Sequence, residues 1–350
     1  MNNRFTGNVV EFHILQSFPV SCLNRDDVGS PKSAMVGGTE RARVSSQCWK
    51  RAVRLKLHDL GVKTACRTRY VTKAVAEQCE KLGATPEQAA ACGETAAKAF
   101  TKKVESGVSD TLLFISESEC AGLAEYFRTK EFAADSGDKE LLKVCKNAIT
   151  PAQDGLDIAL FGRMVASAAD LNIEAAASFA HAISTHQAAS EVDFFTAVDD
   201  CEKQGSAHMG SLEFNSATYY RYISLDLGQL AENLRSDDLG DALEAFAKAL
   251  FLAVPEARQT TMSAACPWEY AVVTVRKGQR LQLPFNTAVR ASGGKSLLET
   301  SRAELDAQLE NLEKMCGSLF GLTKRMEMGI GGNTSIDDLV SGLKQAVGQM

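Results

Sequence analysis

The 350-residue chain is short of the motifs that mark most enzymes. It contains no HExxH, no GxSxG and no GxxxxGKS/T, and its glycine arrays, "GIGGN" and a lone Gly37-Gly38 pair, do not match a dinucleotide fingerprint. His181 and His186 are five apart, a poor spacing for two ligands on one helical turn. No apolar run approaches the roughly 20 residues that span a bilayer, and "MNNRFTGNVVEFHILQSF" lacks the basic start, apolar centre and cleavage site of a secretory leader. The ten cysteines stand singly, with no CxxC pair, which excludes zinc ribbons and thioredoxin-type motifs. They read as reduced, mostly buried thiols of a cytoplasmic protein. No cofactor and no metal site is expected. Asp26-Asp27 and Asp199-Asp200 could hold magnesium, but adjacent loop carboxylates also neutralise nearby arginines.

What the chain does have is segregated charge. The formal net charge is -6, yet between Arg25 and Lys73 twelve Lys or Arg face four Asp or Glu. That local surplus of eight leaves the remainder at -14 (-6 minus 8). One face can therefore hold a polyanion while the rest repels it.

"VVEFHILQ" (9–16) reads as a strand with Val10, Phe12 and Ile14 on one face and Glu11, His13 and Leu15 on the other. Ser21 to Gly38 reads as loop, and "TERARVSS" as extended, Arg41 and Arg43 alternating with Ala42 and Val44. Ser45 or Ser46 can cap a following amphipathic helix. Trp49, Val53, Leu57 and Leu60 lie on one side of it, and Gln47, Lys50, Arg51 and Arg54 on another. From about Ala65 to His186 the chain is alanine-rich and helical in period, clearest in "PEQAAACGETAAKAFTKKV", "KELLKVCKNA" and "IEAAASFAHAIS". Two strand-like runs between Asp193 and Tyr222 predict a long hairpin, and Thr218 to Leu225 is the best strand of the chain. Helix, interrupted around Ser236 to Gly240, and a strand in "WEYAVVTVRKGQRLQLPF" follow. A helix near Ser301 to Met315 and another from Ser335 close the chain. Without its insertions this order suits an α+β, ferredoxin-like sandwich, the architecture of RNA-recognition modules.

Four constellations carry chemistry. Lys50, Arg51 and Arg54 sit within two turns of a helix start whose free N–H groups favour an anion. Ser45 and Gln47 add neutral donors, and Arg41 and Arg43 approach beside glycines that let a ligand backbone come close. Such a set suits phosphodiester contacts; a solvated helix face would carry the same residues. "DKELLKVCKN" places Lys139, Lys143 and Lys146 on one helical stripe, which is also ordinary for a solvated face. The hairpin flanks hold Phe194, Phe195, Thr196, His208 and Met209, with Lys203 and Gly205 at the tip. These apolar groups either wedge between bases or pack onto the domain. Met164, in "LFGRMVAS", reads first as a core residue.

The string "SCLNRDD....K.A..GG..R.R.SSQ..KRA.R" (21–54), followed in order by "DIALFGRM", "AHAISTHQ", "FTAVDDCEKQGSAHMGSLEF" and "YYRY", resembles the CasC family, the backbone subunit of type I-E CRISPR Cascade complexes. The resemblance spans roughly residues 10 to 225, with "PEARQTT" as a further local match, and fades beyond about Lys295. Cys48-Trp49 departs from a smaller pair in the family, and Cys145 stands where a leucine is familiar; both bear on packing more than on guide binding.

The resemblance implies a non-enzymatic protein shaped like a hand. Its expected parts are an RNA-recognition-like palm (1–64, 187–192, 223–295), helical fingers (65–186), a thumb hairpin (193–222) and a C-terminal segment on the palm (296–350). Copies would stack head to tail along a CRISPR guide RNA, each thumb kinking the guide so that short runs of bases pair with target DNA. Lys50, Arg51, Ser45 and Gln47 match positions expected to clamp guide phosphates, with Arg25 as a helper; Lys32, Arg41, Arg43 and Arg54 of the same basic segment are also expected to bind RNA. Phe195, Thr196, His208 and Met209 would serve the thumb, and Met164 the displaced-base region. Lys139, Lys143 and Lys146 would guide target DNA. The partners implied are guide RNA, complementary target DNA, further copies of the chain and other Cascade subunits, with no membrane. A general single-stranded RNA-binding protein, or a metal-dependent ribonuclease using Asp26, Asp27 or the histidines, is the alternative.

Overall fold

A 14-residue strand, Asn8–Ser21, runs through the middle of the sheet in a computed structural model that describes residues 3–101, 103–198, 200 and 206–350. Asp199, Cys201, Lys203 and Gly205 lie outside the described residues. Nine strands form one sheet. Its main path runs Leu322–Gly329, Tyr270–Lys277, Asn8–Ser21, Ser206–Asp226, Ala182–Ser184, Thr39–Val44 and Ser33–Val36. Glu191–Val198 and Ala177–Phe179 pair with the long strand Ser206–Asp226 off that path. Neighbours along the path pair antiparallel.

The alternation expected in the first strand is present, and helices cover both faces. Phe12 meets Phe246 and Trp268 edge-on beneath the helix Gly240–Leu252, while Phe18 packs with Trp49 of the helix Ser46–Asp59. On the other face Leu15 joins Tyr220, Tyr222 and Tyr270 under Leu305 and Leu309 of the helix Leu297–Cys316. Glu11 and His13 are therefore buried, and each finds partners, as burial of polar groups demands. Glu11 accepts from Arg276 Nε (2.5 Å), the Tyr222 hydroxyl (2.5 Å) and the Leu281 N–H (2.7 Å). His13 Nδ1 pairs with the Tyr220 hydroxyl at 2.9 Å. Burial holds the His13 ring neutral, its pKa lowered to about 4.

Contacts divide the chain into two compact units. One gathers Leu57–Ala177 and Leu227–Ala242 with the N-terminal residues through Thr6; the other holds Gly7–Lys56, Ser178–Asp226 and Leu243–Met350. In the first, the helices Val71–Lys81, Pro86–Phe100, Glu117–Thr129 and Asp138–Ala148 enclose a core of Val75, Cys79, Cys92, Leu123, Phe127 and Leu141. Capping boxes at Thr85/Gln88 and Ser116/Glu119 fix two of the helix starts.

Several sequence expectations fail. Ser21 to Gly38, read as loop, contains the strand Ser33–Val36, and the tract read as helical from Ala65 also carries the short strands Cys66–Thr68, Val104–Glu105, Val108–Ser109 and Leu113–Ile115. "IEAAASFAHAIS", read as helix, contains the strands Ala177–Phe179 and Ala182–Ser184. Alanine's helical propensity is worth well under 1 kcal/mol per residue, and pairing with the long strand outweighs it: Ile183 lies opposite Tyr220 on one side and Arg43 on the other. The sequence reading also missed the edge strand Leu322–Gly329, whose charged "LTKRMEMG" pairs with Tyr270–Lys277. Lys324 and Arg325 there suit an edge that must not pair further. The interruption near Ser236–Gly240 is present, between the helices Leu227–Leu234 and Gly240–Leu252.

Candidate nucleic-acid interface

Ser45 caps the helix Ser46–Asp59: its Oγ accepts the Cys48 N–H at 3.3 Å, and its own N–H donates to Asn24 Oδ1 at 2.9 Å. The hydroxyl is thus engaged as a cap. The first turn of this helix carries no acidic residue, so its positive end stays uncompensated from within. Trp49 and Val53 face the sheet, leaving Gln47 and Arg51 exposed and Lys50 and Arg54 half-buried. Lys50 Nζ lies 5.9 Å from the centre of the Phe179 ring, and partial burial lowers its pKa from the usual lysine value. Arg51 reaches Glu256 at 3.6 Å, an exposed pair worth little.

Arg41 and Arg43 part company. Both point away from Ala42 and Val44, which pack with Trp49. Arg41 is 0% exposed. It donates to the carbonyls of Ser184 (2.8 Å), Thr185 (2.9 Å), Phe285 (3.3 Å) and Asn286 (3.3 Å). The segment through Phe285 and Asn286 has closed over it, so the expectation that Arg41 meets RNA fails on geometry. Arg43 lies beyond that cover: Nε donates to Ser33 O and Nη1 is 3.3 Å from His181 Nδ1. His181 has its pKa lowered by burial, then by Arg43 and Lys32. Lys32 and Arg51 also act on the Cys48 thiol, although burial dominates and raises it. Arg43, whose N–H bonds the Lys32 carbonyl at 2.8 Å, Lys32 and the nearby Arg51 thus make a basic strip at the sheet edge, with His181 beside Arg43. Arg25 is exposed in the preceding loop, bridged to Pro31.

The glycine pair has a different task from the one expected. Gly37 and Gly38, both at positive φ (57° and 74°), form the two-residue turn between Ser33–Val36 and Thr39–Val44. A Cβ on Gly37 would stand 1.8 Å from the Asn286 carbonyl oxygen, so the space there belongs to the protein's own backbone.

The hairpin pairs Glu191–Val198 with the first part of Ser206–Asp226, setting Phe195 opposite Gly210, Thr196 opposite Met209 and Ala197 opposite His208. Alternation then sorts the expected residues onto two faces. Phe195 and His208 share one, their rings 6.0 Å apart; Thr196 and Met209 share the other. Phe194, 64% exposed, joins the Met209 face; the sequence reading placed it on the hairpin flank but left it out of the site, although alternation alone pairs it with Thr196. Phe195 is 37% exposed because its ring lies over Gly210, where a Cβ would come within 2.5 Å of a ring carbon. Every residue of Glu191–Val198 is exposed, so these apolar groups do not pack onto the domain.

In the other unit, Leu141 and Cys145 bury one face of the helix Asp138–Ala148 and leave Lys139, Lys143 and Lys146 in solvent. Among the described residues none of the three makes an ion pair. Cys145 fills an apolar slot, and burial raises its pKa far above the ordinary thiol value. Met164 is 82% exposed, against the core reading. Its neighbour Arg163 turns inward, donating to both oxygens of Glu119 at 2.7 and 2.8 Å and to Leu171 O and Phe114 O, and Val165 is buried too. Alternation then forces Met164 out.

Two residues of the ribonuclease alternative, Asp26 and His186, are engaged by the fold. Asp26 Oδ1 accepts the Val28 and Ser30 N–H groups. His186 is bonded at both nitrogens, Nδ1 to Gln187 O at 2.7 Å and Nε2 to the Thr218 N–H at 3.1 Å.

A family model described as CT1975-like protein matches residues 10–336. Among solved structures, a chain of a "CRISPR RNA-guided surveillance complex, pre-nicking" is 28% identical, with a TM-score of 0.81 over 97% of this chain and 100% of that one. A chain of a second "CRISPR RNA-guided surveillance complex" is 24% identical with a TM-score of 0.72, over 97% of this chain and 99% of that one, a likeness of fold. No curated protein matches.

Proposed function

Because the chain belongs to the CT1975-like protein family, we propose that it is a non-enzymatic backbone subunit holding the guide RNA of a type I-E CRISPR surveillance complex in the cytoplasm. Copies polymerise head to tail along the guide, and each hairpin acts as the thumb that kinks it. The sheet unit serves as an RNA-recognition-like palm and the helical unit as fingers.

The observation that carries this reading is the hairpin. A two-stranded ribbon with phenylalanine on both faces and no covering domain is costly in water unless something apolar and flat receives it. Splayed nucleobases fit that description. The basic strip of Arg51, Lys32 and Arg43, with His181 beside it and with Lys50 and Gln47 at an uncompensated helix start, suits the phosphates of the same strand. Exposed Met164 and the unpaired lysines of Asp138–Ala148 suit the displaced base and the target DNA. The 28% identical chain of a surveillance complex supports guide binding.

Co-expression with a CRISPR array tests the reading. One RNA of defined length carrying several protein copies, measured by native mass spectrometry, is expected. A chain that purifies as a monomer with arbitrary RNA would replace this reading with the general RNA-binding one.

A further inference from the structure

Five of the twelve cations between Arg25 and Lys73 follow Arg54 in the sequence, and three of them, Arg67, Arg69 and Lys73, run from a two-stranded ribbon of the helical unit into the helix after it. Cys66–Thr68 pairs antiparallel with Leu113–Ile115, with Arg67 opposite Phe114 and Thr68 opposite Leu113. Arg67 and Phe114 therefore share a face of the ribbon, and Arg69 and Leu112 flank the same end of it, one residue beyond Thr68 and one before Leu113. Arg67 and Arg69 are exposed, Leu112 is 51% exposed and Phe114 half-buried. Arg69 Nε donates to Ser109 O at 2.7 Å, and Ser109 N–H returns a bond to Arg69 O at 2.9 Å. This anchor orients the guanidinium and leaves its terminal nitrogens free. Neither arginine has a carboxylate at ion-pair distance among the described residues.

The chain then turns through Tyr70, 57% exposed, into the helix Val71–Lys81. That helix has no acid in its first turn and no side-chain cap. Lys73 follows one turn on, with the exposed Glu77 carboxylate at 3.8 Å. Asp110, one residue beyond Ser109, is held by hydrogen bonds from Thr101 and Thr111.

We propose that this ribbon, Arg67, Arg69, Tyr70 and Leu112 with Lys73, is a second nucleic-acid contact, binding the phosphates of a single strand while Tyr70 stacks on a base. Paired guanidinium groups beside an exposed ring and an apolar step are what a sequence-tolerant strand platform requires. A protein partner of acidic character would satisfy the arginines but leave Tyr70 and Leu112 without a flat apolar contact. The proposal rests on the guide-scaffold reading and extends it. The strand is the target DNA, since the unpaired lysine stripe belongs to the same unit.

The experiment uses the assembled, guide-loaded complex with two variants, Arg67→Glu/Arg69→Glu and the milder Arg67→Gln/Arg69→Gln, and with Tyr70→Ala. Guide retention is expected to be unchanged while target affinity falls tenfold or more for the double variants. The dependence of log K on log salt should become shallower by about 1.4 for two single-strand phosphate contacts. Tyr70→Ala should cost roughly tenfold. A bromouracil-substituted strand should crosslink within residues 67–73 of the wild-type protein, a readout independent of any variant's folding. Loss of the guide instead would assign the ribbon to guide RNA. Target and guide binding both within twofold of wild type, with no crosslink in 67–73, overturns the proposal. If the wild-type chain purifies without guide, the scaffold reading fails separately. Binding of a labelled oligodeoxynucleotide to the isolated chain and its variants then decides the ribbon by the same criterion.

Discussion

The guanidinium of Arg221 lies 3.6 Å from the ring centre of Trp49. Both side chains are buried, and among the described residues the one hydrogen-bond partner of Arg221's side chain is Gln16 Oε1 at 2.5 Å. A buried cation without a carboxylate depends on that stacked ring, and burial lowers its pKa to about 9. The helix that carries Lys50 and Arg51 is therefore seated on the sheet by Trp49. Trp49→Ala should lower stability by about 3–5 kcal/mol, read by urea unfolding. Guide binding should weaken in step with the loss of folded protein. Wild-type stability in this variant would mean that the helix is held elsewhere.

Arg41 and Arg51 should separate cleanly. Arg41→Met leaves three buried carbonyls and the partly buried Asn286 carbonyl short of a donor and should cost about 2–4 kcal/mol. Arg51→Ala should change stability by less than about 0.5 kcal/mol. Lys50→Glu with Arg51→Glu should abolish RNA-dependent assembly while the melting temperature stays near wild type. Gel filtration with and without guide RNA distinguishes the cases.

The His13 ring has its pKa lowered to about 4 from 6.5. The fold therefore favours the neutral form, and its contribution is complete above pH 6.5 and lost as pH falls toward 4. Integrated, this is on the order of 3 kcal/mol. Unfolding free energy should drop between pH 7 and pH 4.5, and His13→Gln should flatten part of that slope. His186, also lowered by burial, acts in the same direction. An identical slope in the variant would show that His13 is not the group responsible.

On the hairpin, Phe194→Ser with Met209→Ser empties one face, and Phe195→Gly empties the other. Each change should alter the reactivity of displaced guide bases toward chemical probes, and emptying both faces should remove the kink. Because all these residues are exposed, the melting temperature should move little. Unchanged base reactivity would count against the wedge role.

Replacing Lys139, Lys143 and Lys146 by Ala should spare guide retention. Target capture should weaken and its salt dependence become shallower by about 2–3 on a log–log plot, as for up to three duplex phosphate contacts. Simultaneous loss of the guide would show that the lysines serve another strand.

Local rules read the capped helix, the hairpin strands and helices such as Pro86–Phe100 and Asp138–Ala148 because periodicity and capping signals are contained within each segment. They could not separate Arg41 from Arg43. Both occupy the same face of one strand, and only a segment more than 240 residues later decides which is covered. Alanine-rich "AAASFAHAIS" reads as helix until the long strand offers its edge. The strand Leu322–Gly329 escapes because an edge strand carries charges in place of an apolar run. Phe194, by contrast, was legible: alternation from Thr196 reaches it directly.

The strand Ser206–Asp226 passes unbroken from the hairpin into the middle of the sheet, and the register against its neighbour shifts between Phe18 and Ser21. Pro19, which has no N–H to give the ladder, sits within that shift. Such irregularities bend and twist a ribbon locally, so the direction in which the arm leaves the sheet is governed by two residues, Pro19 and Val20, that belong to a different strand and lie far from the tip. Lengthening or trimming the chain there would swing the arm's end through several ångströms, by the leverage of about 26 Å of ribbon, with every tip residue left as it was.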